Sequence, residues 1–231
     1  MSRVLAVVRM QLVNWPINIA WPWGILFSSF LINYAIQSAL VRQNVGDSTT
    51  GGMLSIYTVV FVAYLISVSQ DLPFALGLGV SRRTFHLASG LMLATEALLY
   101  GTLLYLFALI ERATDGFGVG LAFFGLPFMS TSNPLLQILV YTVPFLLFGV
   151  LGFAVGLVFK RWGANGVLTL SVAAILAIGA AVYLITRAER WRAVGGWFVD
   201  QSTVGLFIGW PLLLVVPLAA LSHLLIRRVT V

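Results

Sequence analysis

Two histidines, seven acids and no cysteine limit the chemistry open to this 231-residue chain. Without cysteine there is no disulfide, no thiolate metal site, no cysteine nucleophile and no iron–sulfur ligation. His86 and His223 are too few for a histidine-rich metal site. One acid stands apart, Glu96, inside the apolar run 87–110. An ionisable group at that depth marks a substrate path or a proton carrier by default. The plainer reading is a structural acid satisfied by a neighbouring Ser, Thr or Tyr. His223, near the end of the last apolar run, is placed too far in depth to pair with Glu96 and reads as an interfacial histidine. One intramembrane acid and two distant histidines do not make an active site, so no catalytic and no metal-ligating residue is expected. No G-x-x-x-x-G-K-S/T occurs, so the chain carries no ATPase of its own.

The elements that must position these residues are membrane helices. The chain is 60% hydrophobic and 9% charged, with a mean hydropathy of +1.02, against roughly 25% charged residues in a soluble domain. Apolar runs at about 20–40, 53–70, 86–110, 135–159, 165–186 and 206–226 predict six transmembrane helices in a single domain, 1–231, of an all-α integral membrane protein. The runs do not alternate in polarity, which argues against a barrel. The run holding Glu96 still inserts. Nine Leu with Phe107 and Ile110 favour insertion by roughly 3–7 kcal/mol against about 3 for a central acid. The residues left between runs are too few for a second folded domain.

Residues 2–14 read as an interfacial elbow helix. Arg3, Gln11 and Asn14 fall on one arc at about 100° per residue, and Arg9, off it, snorkels. Trp15, Trp21 and Trp23 suit the boundary, and Pro16 and Pro22 turn the chain into the first span. With the N-terminus inside, eight Arg or Lys (Arg3, Arg9, Arg82, Arg83, Lys160, Arg161, Arg227, Arg228) lie inside and five (Arg42, Arg112, Arg187, Arg190, Arg192) outside, placing both termini in the cytoplasm. The net charge of +6 is scattered between apolar runs, which points to the bilayer surface rather than nucleic acid. Gly152 with Gly156, the Ala173–Ala177–Ala181 face, and Gly205 with Gly209 are small-residue stripes suited to close helix packing, within the chain or between subunits. Asn18, Asn33 and Gln37 are polar points in or beside the first span, and the loop 116–128 is apolar enough to dip into the membrane surface.

Residues 70–85, QDLPFALGLGVSRRTF, carry the most information. Asp71 suits a helix N-cap, with Pro73 in the first turn. Phe74, Ala75, Leu76 and Leu78 give an apolar surface, flanked by Gly77. Gly79 suits a left-handed C-terminal position, and Ser81 a cap for the next span. Arg82 and Arg83 face headgroups or an acidic partner. This predicts a short cytoplasmic docking helix at about 71–80, the main feature there that a soluble protein has to grip.

Through this segment, DLPFALGLGVSRRTFHLASG at 71–90, and through its whole layout, the chain resembles the membrane (permease) subunit of a bacterial type-2 ATP-binding-cassette (ABC) exporter. The resemblance implies a multi-pass plasma-membrane protein that pairs with a second membrane subunit, identical or related. Two cytoplasmic ATPase subunits would supply the ATP and magnesium sites, leaving this chain without catalysis or cofactor. Asp71, Pro73–Gly79, Arg82 and Arg83 would form the coupling helix that docks the ATPase, with the elbow adding contact. The segment 187–205 would be an outer re-entrant gate, with Trp191 and Trp197 interfacial and a helix break at Gly195–Gly196. A stand-alone secondary transporter, proton-linked through Glu96, is the competing expectation.

Overall fold

The computed structural model describes residues 3–13, 15–43 and 46–227, without the side chain of Arg3. Two parts of the sequence reading, Asn14 on the elbow's polar arc and Arg228 in the charge count, lie outside them. Among the described residues there are seven α-helical elements: α1 (Arg3–Val13), α2 (Trp21–Val41), α3 (Ser55–Gly77), α4 (Arg82–Ala113), α5 (Pro134–Arg187), α6 (Trp191–Asp200) and α7 (Trp210–Ile226). A π-type turn precedes each of α2 and α7. Five helical runs among the described residues are long and apolar enough to cross a membrane, so this is an all-α, multi-pass membrane protein.

The runs expected at 135–159 and 165–186 are two helical segments, labelled together as α5, that meet without a loop at Gly163, where φ is +65° and ψ −160°. That conformation is essentially open only to glycine. The first half of α5 is the centre of the bundle, packed against α3 and α4, and α7 lies alongside α5. Every buried residue of α5 falls at or before Leu157. Beyond the break, each residue from 168 to 184 is exposed.

The bundle is held by close backbone approach, the means available where lipid removes the hydrophobic drive between helices. A Cβ on Gly152 would meet the Phe61 carbonyl oxygen of α3 at 2.1 Å, and one on Gly156 would meet Val68 at 2.8 Å and the Leu65 carbonyl oxygen at 3.0 Å. This stripe therefore serves packing within the chain. The Ala173–Ala177–Ala181 face is exposed. Between the glycines, α3 places Ile56, Tyr57, Val60, Tyr64, Val68 and Leu72 inward at three- and four-residue spacing.

Three local expectations change. The docking segment is not a separate helix: α3 runs unbroken through Pro73 to Gly77, so Asp71 is an interior residue rather than an N-cap. Leu72 and Ala75 are fully buried, and that packing carries the helix past the proline. The loop 116–128 folds onto the protein, with Leu121, Phe123, Phe124 and Leu126 at most 2% exposed. It also pairs with the α2–α3 loop as a short parallel sheet of β1 (Ser48–Thr49) with β2 (Leu121–Ala122). Finally, α6 is continuous through Gly195–Gly196. Its breaks come before Trp191 and after Asp200.

Candidate functional site

At the end of the bundle where α3 meets α4, the chain makes a tight, well-capped turn. Gly79 sits at φ +78°, the Val80 amide donates to the Ala75 carbonyl and the Gly79 amide to the Leu76 carbonyl, both at 3.0 Å. This is the paired bond pattern of a Schellman C-cap. Ser81 then caps α4, its hydroxyl accepting from the Thr84 amide at 3.2 Å. The turn stands on Leu72 and Ala75, while Phe74 (59% exposed) and Leu78 (65% exposed) project from it. Leu76 is half-buried and packs on the core. Gly77, Gly79 and Arg83 are exposed, and Pro73 and Arg82 are half-buried. Arg82 donates to the Arg227 carbonyl at 3.3 Å, tying the start of α4 to the end of α7.

Beneath the turn lies a polar knot that hydropathy alone does not reveal. Gln11 of α1 is 2% exposed and does not face water. Its amide nitrogen donates to Ser89 of α4 at 2.8 Å and lies 3.5 Å from the Ser67 hydroxyl of α3. Ser67 in turn donates to the Asp71 carboxylate at 2.6 Å. The elbow helix, the last turns of α3 and the first turns of α4 are thus bound into one unit. Within one turn of Ser89 on α4, His86 lies against His223 of α7, with ring centroids 5.2 Å apart. The two histidines, read as distant in sequence, are neighbours.

Glu96 lies near the middle of α4, about 21 Å from the helix start at 1.5 Å per residue, and is 8% exposed. Its Oε2 accepts the Tyr64 hydroxyl at 2.6 Å, the class of partner expected for a structural acid. Its Oε1 has no partner, nor has the buried Thr142 hydroxyl. One turn along α4, the Tyr100 hydroxyl donates to the Asn18 carbonyl. Glu96→Gln is expected to keep the Tyr64 bond and to change thermal stability by less than about 1 kcal/mol. Tyr64→Phe, which strips a buried carboxylate of its donor, is expected to cost about 1–3 kcal/mol. Thermal unfolding in mild detergent checks both.

The opposite, loop end is a cap built on Glu111 at the end of α4. Its Oε2 accepts the Phe123 and Phe124 amides at 2.9 and 2.7 Å, and its Oε1 the Gly125 amide at 2.9 Å. Gln37 of α2, 1% exposed, donates to the carbonyls of Gly46 and Val119 and accepts from Ser48. Asn33 accepts from Thr50 at 2.8 Å. The polar points of the first long helix therefore hold loops. Sequence analysis does not single out Glu111. The available signal was an acid ending an apolar helix ahead of an aromatic, glycine-rich loop.

The chain matches no family model, no curated protein and no solved structure. The remaining predicted positions do not converge. Trp191 and Trp197 are exposed on α6, where Trp197 packs against Trp210 with ring centroids 5.4 Å apart, and a Cβ on Gly195 or Gly196 would meet nothing within 4 Å. Among the described residues, no three His, Asp or Glu side chains are grouped to hold a metal ion. The arrangement offers a rigid apolar projection at one end, a buried acid at mid-depth and a loop cap at the other.

Proposed function

We propose that this chain is the membrane subunit of an ATP-driven exporter of the ABC type, coupled to a separate cytoplasmic ATPase through its α3–α4 turn. The observation that carries the reading is the turn itself. Phe74 and Leu78 are presented to solvent on a base that cannot yield, since Leu72 and Ala75 are fully buried and the C-cap is closed by two backbone bonds. Large apolar side chains held out on a short rigid element suit insertion into a partner's groove. The knot at Gln11, Ser67, Asp71 and Ser89 makes the turn, the elbow and the start of α4 move together. Force applied at the turn is thereby passed to the helices rather than dissipated in a loop.

In this reading α5 crosses twice, with Gly163 at the turn between crossings, giving six spans with both termini cytoplasmic in the plasma membrane. α6 forms the outer segment, and the exposed run 168–184 faces lipid or a second membrane subunit. The pump would use two ATPase subunits, which hold ATP and magnesium.

Phe74→Asp with Leu78→Asp is the preferred test, because both side chains are exposed whereas Leu76 contributes to the core. The double variant is expected to remain monodisperse and to lose copurification of the ATPase by at least tenfold. Equal recovery of ATPase with the folded variant would refute docking at this turn.

A second reading rests on the unpartnered Oε1 of Glu96. In a proton-linked secondary transporter, vesicles lacking any ATPase would take up substrate under a proton gradient, and Glu96→Gln would abolish it. ATP-dependent transport that survives Glu96→Gln decides for the exporter.

A further inference from the structure

Beside the Gly163 break lies an open groove of about 620 Å³ between α5 and α7. Val158 and Trp162 before the break, Asn165 and Thr169 after it, and Leu221 and Leu225 of α7 line it. The walls are apolar except at Asn165 and Thr169. Thr169 donates to the Asn165 backbone carbonyl at 2.8 Å, and both residues line the groove.

Charge is concentrated at the same end. Lys160 and Arg161 precede the break, with the Arg161 guanidinium 4.5 Å over the Trp162 ring. Arg227 follows Leu225 by two residues, and Arg82 is tied to its carbonyl. No Asp or Glu occurs between Asp115 and Glu189 to neutralise this stretch of α5. An open apolar trough with an asparagine in its lining, one wall residue stacked under Arg161 and Lys160 next in the chain, matches an anionic amphiphile: acyl chain in the trough, phosphate at the cations.

We propose that this groove binds an anionic phospholipid of the surrounding bilayer, its phosphate held by Lys160, Arg161 and Asn165 and one acyl chain lying along Trp162, Thr169 and Leu221. Trp162 is then both a wall of the site and its reporter. The inference needs the chain to be membrane-embedded and does not depend on an ATPase partner.

The test uses the full chain reconstituted in phosphatidylcholine bilayers doped with phosphatidylglycerol brominated on its acyl chains, with brominated phosphatidylcholine as the comparison. Tryptophan fluorescence is normalised to each protein's unquenched intensity, and the difference from Trp162→Phe isolates Trp162. Brominated phosphatidylglycerol is expected to quench Trp162 at low mole fraction, well before brominated phosphatidylcholine does. With each surface cation contributing on the order of fivefold to anionic-lipid binding, Lys160→Gln with Arg161→Gln is expected to shift half-quenching to a mole fraction about 20–30 times higher. Ala173→Phe, which narrows the groove without altering charge, is expected to weaken quenching by phosphatidylglycerol. Equal quenching by the two lipids would mean ordinary contact with surrounding lipid and overturn the proposal. So would a preference that survives the double charge variant. Quenching by neither lipid would mean that protein, such as a second copy of the chain, fills the groove, and would also overturn it. ATPase copurification from the same preparation reads the proposed exporter role separately.

Discussion

Glu111→Ala is expected to release the loop 116–129 from the bundle and to destabilise the protein by about 3–5 kcal/mol. Three amide donors, those of Phe123, Phe124 and Gly125, end on this one carboxylate. Phe123 and Phe124 are essentially inaccessible to water, so their amides would lose a charge-assisted bond and gain nothing in return. Bonds to a charged acceptor are worth about 1.5–3 kcal/mol each, and losses that share one group do not simply add. The aromatic cluster of Phe30, Phe107, Phe117, Phe123 and Phe124 would lose its alignment as well. Glu111→Gln should fall between wild type and Ala, because the amide keeps one acceptor oxygen but turns an N–H toward the donors. Hydrogen exchange across 121–126 together with thermal unfolding measures the effect. Unchanged protection in Glu111→Ala would show that β1–β2 pairing and aromatic packing hold the loop without it.

Gly152→Leu is expected to be comparably damaging for a different reason. At this residue the approach of α3 to α5 is backbone against backbone, with the Phe61 carbonyl carbon 2.9 Å and its Cα 3.1 Å from where a Cβ would stand. Nothing flexible is available to move aside, so the helices must separate and lose dispersion contact along their length. Overpacking a well-fitted site typically costs about 1–3 kcal/mol, and a rigid backbone neighbour places this one at the upper end or beyond. Even Gly152→Ala should be clearly destabilising. Gly179→Ala is the internal control: a Cβ there meets nothing within 4 Å, and helix propensity alone favours alanine by up to about 1 kcal/mol. Unfolding in mixed micelles should rank Gly179→Ala at or above wild type and both Gly152 variants below it. Equal stability of all of them would mean that α3 and α5 are not held by this contact.

The long helices were legible because length and hydropathy are local properties of the chain. Ser81 and Gly79 took their expected cap positions for the same reason: a hydroxyl and a missing Cβ act within three residues of themselves. Pro73 misled because its local preference for a first turn competes with packing that sequence does not display. Leu72 and Ala75 are buried on either side of it, and the helix runs through. Gly163 parts the two expected runs where sequence analysis separates them, but with no loop, because one residue at positive φ is enough to interrupt a helix. The pairing of His86 with His223, the burial of Gln11 and the amides gathered by Glu111 all join segments that hydropathy treats independently. Glu96 was legible as a buried acid with a hydroxyl partner, but Tyr64 as that partner was not. The groove beside Gly163 was not legible at all, since its walls come from two helices some fifty residues apart.

The loop cap also has a consequence for the order in which the chain assembles. The bond from Gln37 to the Val119 carbonyl spans 82 positions, and β1 reaches β2 across the whole of α3 and α4. Such contacts carry the entropy of closing a long loop and reward it only when the intervening segments already stand side by side. The two-residue pairing is too small to recruit those helices. It therefore closes after α2, α3 and α4 have come together, and slowed exchange at the Phe123 and Phe124 amides serves as a clock for completed assembly, one that a truncated or misinserted chain would never start.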